Sequence, residues 1–237
     1  MSLSELKNIP SWTLAQDLRL VLLVVLVAGI AAVRVVDHLA DRLFVRRVPV
    51  GERERGWLAL AAPYFQVHSF RAGDLGGKTP LGRFWMNRFI KRDWGIVDRS
   101  TAVDRLNHLL HHGHREDPEL RDPNQPASDL ETVDRALLAW DAMRVVFLAR
   151  CCFALGHLDE QETWSFVYAG VGLAAGEGAS FRPFRGWGEW GRSWVIGRML
   201  WSAGTRGTAY YEYVVEKLLK HPKSVWNRYE WGAVTRR

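Results

Sequence analysis

The sequence predicts an all-α protein: a single-pass N-terminal transmembrane helix, then one compact multi-helix domain around a buried central helix. Three observations carry this. From Ala136 to Leu155 the chain is apolar almost all the way round, with Asp141, Arg144 and Arg150 as the charged exceptions, and a helix without a polar face must be buried. Leu20 to Val33 contains no polar side chain. Elsewhere apolar residues recur every three or four positions, and no stretch shows the period-two alternation of a strand.

The 237 residues suffice for one good-sized domain plus an appendage. A hydrophobic content of 48% excludes a disordered chain and a polytopic membrane protein. The net charge of +6 is spread along the sequence, as on an arginine-rich solvated surface. Cys151 and Cys152 are neighbours on the central helix, about 100° apart and poorly placed to bridge. That usage fits a reducing compartment.

Residues 1–17 form a short N-terminal segment, 18–36 the anchor, 37–50 an amphipathic stalk and 51–237 the helical domain. The run Leu20–Val33 rises about 21 Å as a helix, against about 30 Å of bilayer hydrocarbon. Arg19 and Arg34 could snorkel and lengthen it. A cleaved signal peptide and a core or membrane-surface helix are the alternatives. Arginines 34, 42, 46, 47, 53 and 55 follow the run, while only Lys7 and Arg19 precede or border it. The positive-inside rule then expects an inner (cytoplasmic) membrane protein with its C-terminal domain in the cytoplasm.

Along the domain, Glu54 to Gln66 reads as a helix that Pro63 kinks or ends. Arg71 to Pro80 is a loop. Its Gly76-Gly77-Lys78-Thr79 lacks the leading glycine of a phosphate loop. Leu81 to Lys91 reads as a helix with Phe84, Trp85 and Phe89. Asp98-Arg99-Ser100 caps the next, Thr101 to His112, which Gly113 ends. His108 and His112 sit at metal-sharing spacing with no cysteine beside them, and no metal site is assigned. Arg115 to Ala127 is a proline-rich polar loop. Ser128 or Asp129 caps the central helix, Thr132 to Gly156. Leu158-Asp159-Glu160 opens a helix to about Ala175. In Trp187 to Ala203, Trp187, Trp190, Trp194 and Trp201 share one face with Arg198. Thr208 to Leu219 is the last long helix. The tail with Trp226, Tyr229 and Trp231 packs back on the domain.

The segments holding Trp94, Gly95 and Ile96; Gly113, His114 and Arg115; Trp140, Asp141 and Arg144; and Gly197, Arg198 and Trp201 together resemble the bacterial family called domain of unknown function 1266. The resemblance covers about residues 57–203. It implies the helical architecture and no established reaction.

The candidate site is a polar cluster, ligand-binding or structural: Asp141, Arg144, Arg198, Trp140 and Trp194. An arginine among tryptophans needs a carboxylate or an aromatic stack, and Asp141 is the expected partner of Arg198. A site built from these residues would hold something anionic and flat. No catalytic residue and no cofactor is assigned. The leading functional reading is a membrane-tethered cytoplasmic interaction or regulatory module with a protein partner. One alternative is an enzyme or toxin-like effector using the same Asp/Arg/Trp cluster with His114. The other is single-stranded nucleic-acid binding through Arg182, Arg185, Arg192 and Arg206, interleaved with Phe181, Phe184 and Trp187.

Overall fold

Proline placement and indole hydrogen bonds explain much of how this chain closes on itself in the computed structural model. The structure describes residues 11–44, 48, 50–67, 75, 80–120, 127–181, 184–202 and 207–236. The chain divides into two units, Met1–Val45 with Thr79–Leu81, and Arg46–Lys78 with Gly82–Arg237. Among the described residues every regular element is helical.

The first unit contains α1, Ser11–Phe44. Its apolar side chains from Leu20 to Val33 are exposed. Among the described residues no helix is long and apolar enough to cross a membrane. This corrects the transmembrane anchor expected at 18–36. The inner-membrane location, the single-anchor membrane partner and the cytoplasmic placement drawn from it go with it. The physical reason is length. The run between Arg19 and Arg34 falls about 9 Å short of the hydrocarbon thickness, and the two arginines do not make up the difference. The expected stalk at 37–50 is helical as far as Phe44.

In the second unit the stretch expected as one helix is two, α2 Glu52–Ala59 and α3 Ala62–Val67. Pro63 has no N–H to give the Ala59 carbonyl and its ring crowds that oxygen, so the helix parts there. The oxygens left at the break are taken by buried tryptophans. Trp226 Nε1 donates to the Ala59 carbonyl at 2.8 Å and Trp190 Nε1 to that of Leu60 at 3.1 Å. The local break thus fixes two long-range contacts.

Next come α4, Pro80–Trp94, and α5, Arg99–His111. Asp98 caps α5 in a reciprocal box with Thr101. Its end is closed by the amides of His112 and Gly113, both donating to the His108 carbonyl. Gly113 has φ +60. Two 3-10 turns follow, His114–Glu116 and Pro118–Leu120. The weak phosphate-loop resemblance at 76–79 lies outside the described residues.

The central helix α6 runs Ala127–Leu155, two turns longer than an end-to-end reading of its apolar part, so Ser128 and Asp129 stand inside it rather than capping it. From Arg135 to Cys152 every residue is buried. Around it pack α5, α7 (Glu160–Ala174) and α8 (Trp187–Trp201). The third charged exception, Arg150, is fully buried with its guanidinium 4.4 Å from the Phe65 ring centre. Both cysteines are buried, and burial pushes the Cys152 thiol up to about 12.

The chain ends with α9 (Thr208–Lys220), α10 (Val225–Arg228) and α11 (Trp231–Thr235). The tail packs back through its aromatics. Trp226 stacks on Trp187 at 5.3 Å, and Trp231 meets the same ring edge-on at 4.8 Å. On α8 the shared tryptophan face is buried at Trp187, Trp190 and Trp194, but Trp201, in its last turn, is 47% exposed.

Candidate functional site

Asp141 and Arg144 stand one turn apart on α6, so helix geometry alone brings them together. The Arg144 guanidinium pairs with Asp141 Oδ1, its Nε donates to the Trp140 carbonyl at 3.2 Å, and it lies 4.9 Å from the Trp140 ring and 5.6 Å from that of Trp94. Asp141 is fully buried and Arg144 is 3% exposed.

The other half of the cluster comes from the turn after α5. The backbone amides of His114 and Arg115 donate to Asp141 Oδ2 at 3.0 and 3.1 Å, and Arg115 Nη1 approaches the same oxygen at 3.4 Å. Gly113 makes this possible. A Cβ there would stand 2.6 Å from Asp141 Cγ, and φ +60 is strained for any side chain. His114 Nδ1 lies 2.7 Å from Arg144 Nη2.

Burial works to raise the Asp141 pKa, but the His114 ring, the Arg144 charge and the two backbone amides outweigh it and hold the carboxyl below its ordinary range. A depressed folded-state pKa adds stability above the unfolded value, near 4, and that stability is lost as pH falls through the folded one. Denaturant melts between pH 2 and 7 should therefore show a gap between wild type and Asp141→Asn that narrows below about pH 4. A gap of constant size would show that Asp141 is not charged in the fold.

Arg198 is elsewhere. The pair expected with Asp141 does not form: the ionic partners of Asp141 are Arg144 and Arg115, with the His114 ring nitrogen 3.6 Å from its Oδ1. Arg198 is half-buried, its guanidinium 5.3 Å from both the Trp201 and Tyr211 ring centres. Trp140 and Trp194 lie between the two arginines in one aromatic wall. Their centroids are 6.0 Å apart, Trp201 is 5.8 Å beyond Trp140, and Tyr211 is 5.3 Å beyond Trp194. Tyr64 packs on both tryptophans. Its buried phenol is pushed well above the ordinary tyrosine range, with Arg144 and Arg198 acting against that rise. The indole nitrogens of Trp140 and Trp194 are buried and have no hydrogen-bond acceptor. Each such orphan donor costs about 1 to 3 kcal/mol.

Residues 124–231 match the model of DUF1266, described as a protein of unknown function. This segment is similar to the DUF1266 family. The match begins and ends later in the chain than the 57–203 expected from the sequence. It holds Trp140, Asp141, Arg144, Gly197, Arg198 and Trp201, while His114 and Arg115 precede it. No curated protein and no solved structure matches the chain. The DUF1266 segment therefore supplies the cluster's carboxylate, both indoles and two of its arginines. The turn that grips the carboxylate lies upstream.

Two surface clefts lie beside this cluster, one of about 290 Å³ at Trp94, Arg105 and His108 and one of about 380 Å³ at Arg115, Asp134 and Phe181. Neither is lined by Asp141, Arg144 or Arg198. Sequence reasoning passed over a different surface. On α4 the buried residues are Met86 and Ile90, while Phe84 and Trp85 are 59% and 58% exposed. At 100° per residue, Phe84, Trp85, Arg88, Lys91 and Arg92 fall on the face opposite the buried pair. The signal was present in the sequence as that periodicity.

Proposed function

We propose that this chain is a helical interaction module that docks an acidic segment of a partner protein on the solvent face of α4. The observation that carries this reading is the exposed Phe84–Trp85 pair, edge-to-face at 5.3 Å, one turn from Arg88 and two turns from Lys91 and Arg92, all exposed. Exposed tryptophan beside arginine is the composition of an interface centre. The face is convex, so a helix laid across it could set its apolar residues around the rings and its carboxylates on the cations.

Two alternatives find less support. Asp141, the carboxylate an enzyme would use, spends its oxygens on the chain's own amides and arginines. For nucleic acid, Phe184 and Trp187 are buried, and Arg182 and Arg206 lie outside the described residues.

A photo-crosslinking residue at position 85 in source cells tests the proposal, with the same residue at exposed Glu212 on α9 as control. Adducts at 85 should map to an acidic segment of one partner and disappear in Arg88→Glu/Lys91→Glu. Both exposed charge changes should shift stability by no more than about 0.5 kcal/mol. Adducts at 85 no more frequent than at 212 would sink the proposal.

A further inference from the structure

The aromatic wall between α6, α8 and α9 holds more donors than it can use. Trp140 Nε1 and Trp194 Nε1 are buried without an acceptor. The Arg198 guanidinium rests on two rings and, among the described residues, no carboxylate pairs with it. Asp141, the carboxylate the sequence offered it, is occupied by Arg144 and by the amides of His114 and Arg115. Tyr64 turns a phenol oxygen toward Trp194, a neutral acceptor that leaves the Arg198 charge uncompensated. A half-buried cation with two orphan indole donors behind it matches a negatively charged acceptor. Trp201 at 47% exposure and the half-buried Arg198 place solvent at one end of the wall.

We infer that Arg198, Trp140 and Trp194 form a binding site for a planar carboxylate. The carboxylate takes the Arg198 fork edge-on, which a planar bidentate acceptor satisfies best. The indole N–H groups supply the further donors, and the ligand's flat body lies against Trp201, where a ring already meets a guanidinium. Water could answer an indole N–H but would leave Arg198 without a counter-charge, so the ligand's negative charge is part of its identity. This site is independent of the α4 face and stands or falls without it.

Isothermal titration and tryptophan fluorescence on the full chain test it, with benzoate, inorganic phosphate and benzyl alcohol as probes. Benzoate should bind saturably and change the fluorescence. Arg198→Lys, which keeps the charge and loses the fork, should bind it at least tenfold more weakly, and Arg198→Met should abolish binding. Trp194→Phe, which keeps the ring stack and deletes one donor, should also weaken it, by threefold or more. Unchanged thermal melting of Arg198→Lys shows that its loss is not one of folding. Equal binding of benzyl alcohol would reduce the site to an apolar slot and overturn the proposal. Binding of phosphate in place of benzoate would overturn the planar class, and no saturable response to benzoate would overturn the site.

Discussion

Asp141→Asn should destabilise the helical body by about 3 to 5 kcal/mol, the range for removing one partner of a buried pair. The side chain stays nearly isosteric, so packing is spared. What changes is charge: Arg144, 3% exposed, keeps its positive charge with no carboxylate beside it. The amides of His114 and Arg115 lose a charged acceptor as well, and an amide oxygen serves at most one of them well. The partner test follows the observed geometry. Asp141→Asn with Arg144→Met should recover part of the loss, because the orphaned cation goes too. Asp141→Asn with Arg198→Met should be additive within about 0.5 kcal/mol, since the two do not touch. Urea melts of wild type, the three single mutants and the two double mutants decide it. A single mutant within about 0.5 kcal/mol of wild type would remove the structural role given to the cluster.

Gly197→Ala should cost as much as an overpacked core substitution, at the upper end of about 1 to 3 kcal/mol. Gly197 lies where α8 crosses α6. A Cβ there would run into the Ala136 carbonyl oxygen and stand 2.7 Å from Trp140 Cβ. Ala136 contributes backbone, which cannot rotate aside as a side-chain tip can, so the helices must separate or slide. Trp140 and Trp194, on either side of the crossing, would lose packing together. Gly188→Ala on the same helix is the control: its Cβ meets only the Arg192 guanidinium, at 3.6 Å. It should be neutral or slightly stabilising through helix propensity. Equal melting temperatures for the two variants would show that the crossing is looser than described.

The elements that could be read from sequence are those whose signal is local. Asp98 and Asp159 announce their capped helices by residue type, and each cap forms. The central helix shows itself because a run with no polar face has one place to go. Asp141 with Arg144 follows from i, i+3 spacing. The partner of Arg198 does not follow, because it depends on the relative rotation of α6, α8 and α9, which no single-helix pattern contains. The grip of His114 and Arg115 on Asp141 was equally hidden, since every residue carries an amide and the amides are what bind. Gly113 was its one visible trace, and it reads first as a helix end. For α1 the signal misled: side chains that suggested a span were counted beyond the arginines that bound it.

The hold of residues 113–116 on Asp141 crosses the edge at which the family match begins. So do the indole bonds from Trp190 to Leu60 and from Trp226 to Ala59. The stretch that similarity recognises is smaller than the body these bonds hold together. Cut at residue 124, the chain would retain a buried carboxylate without its amide donors and two buried indoles without their carbonyls. The family match and the bonds that close the helical body thus draw different borders on this protein.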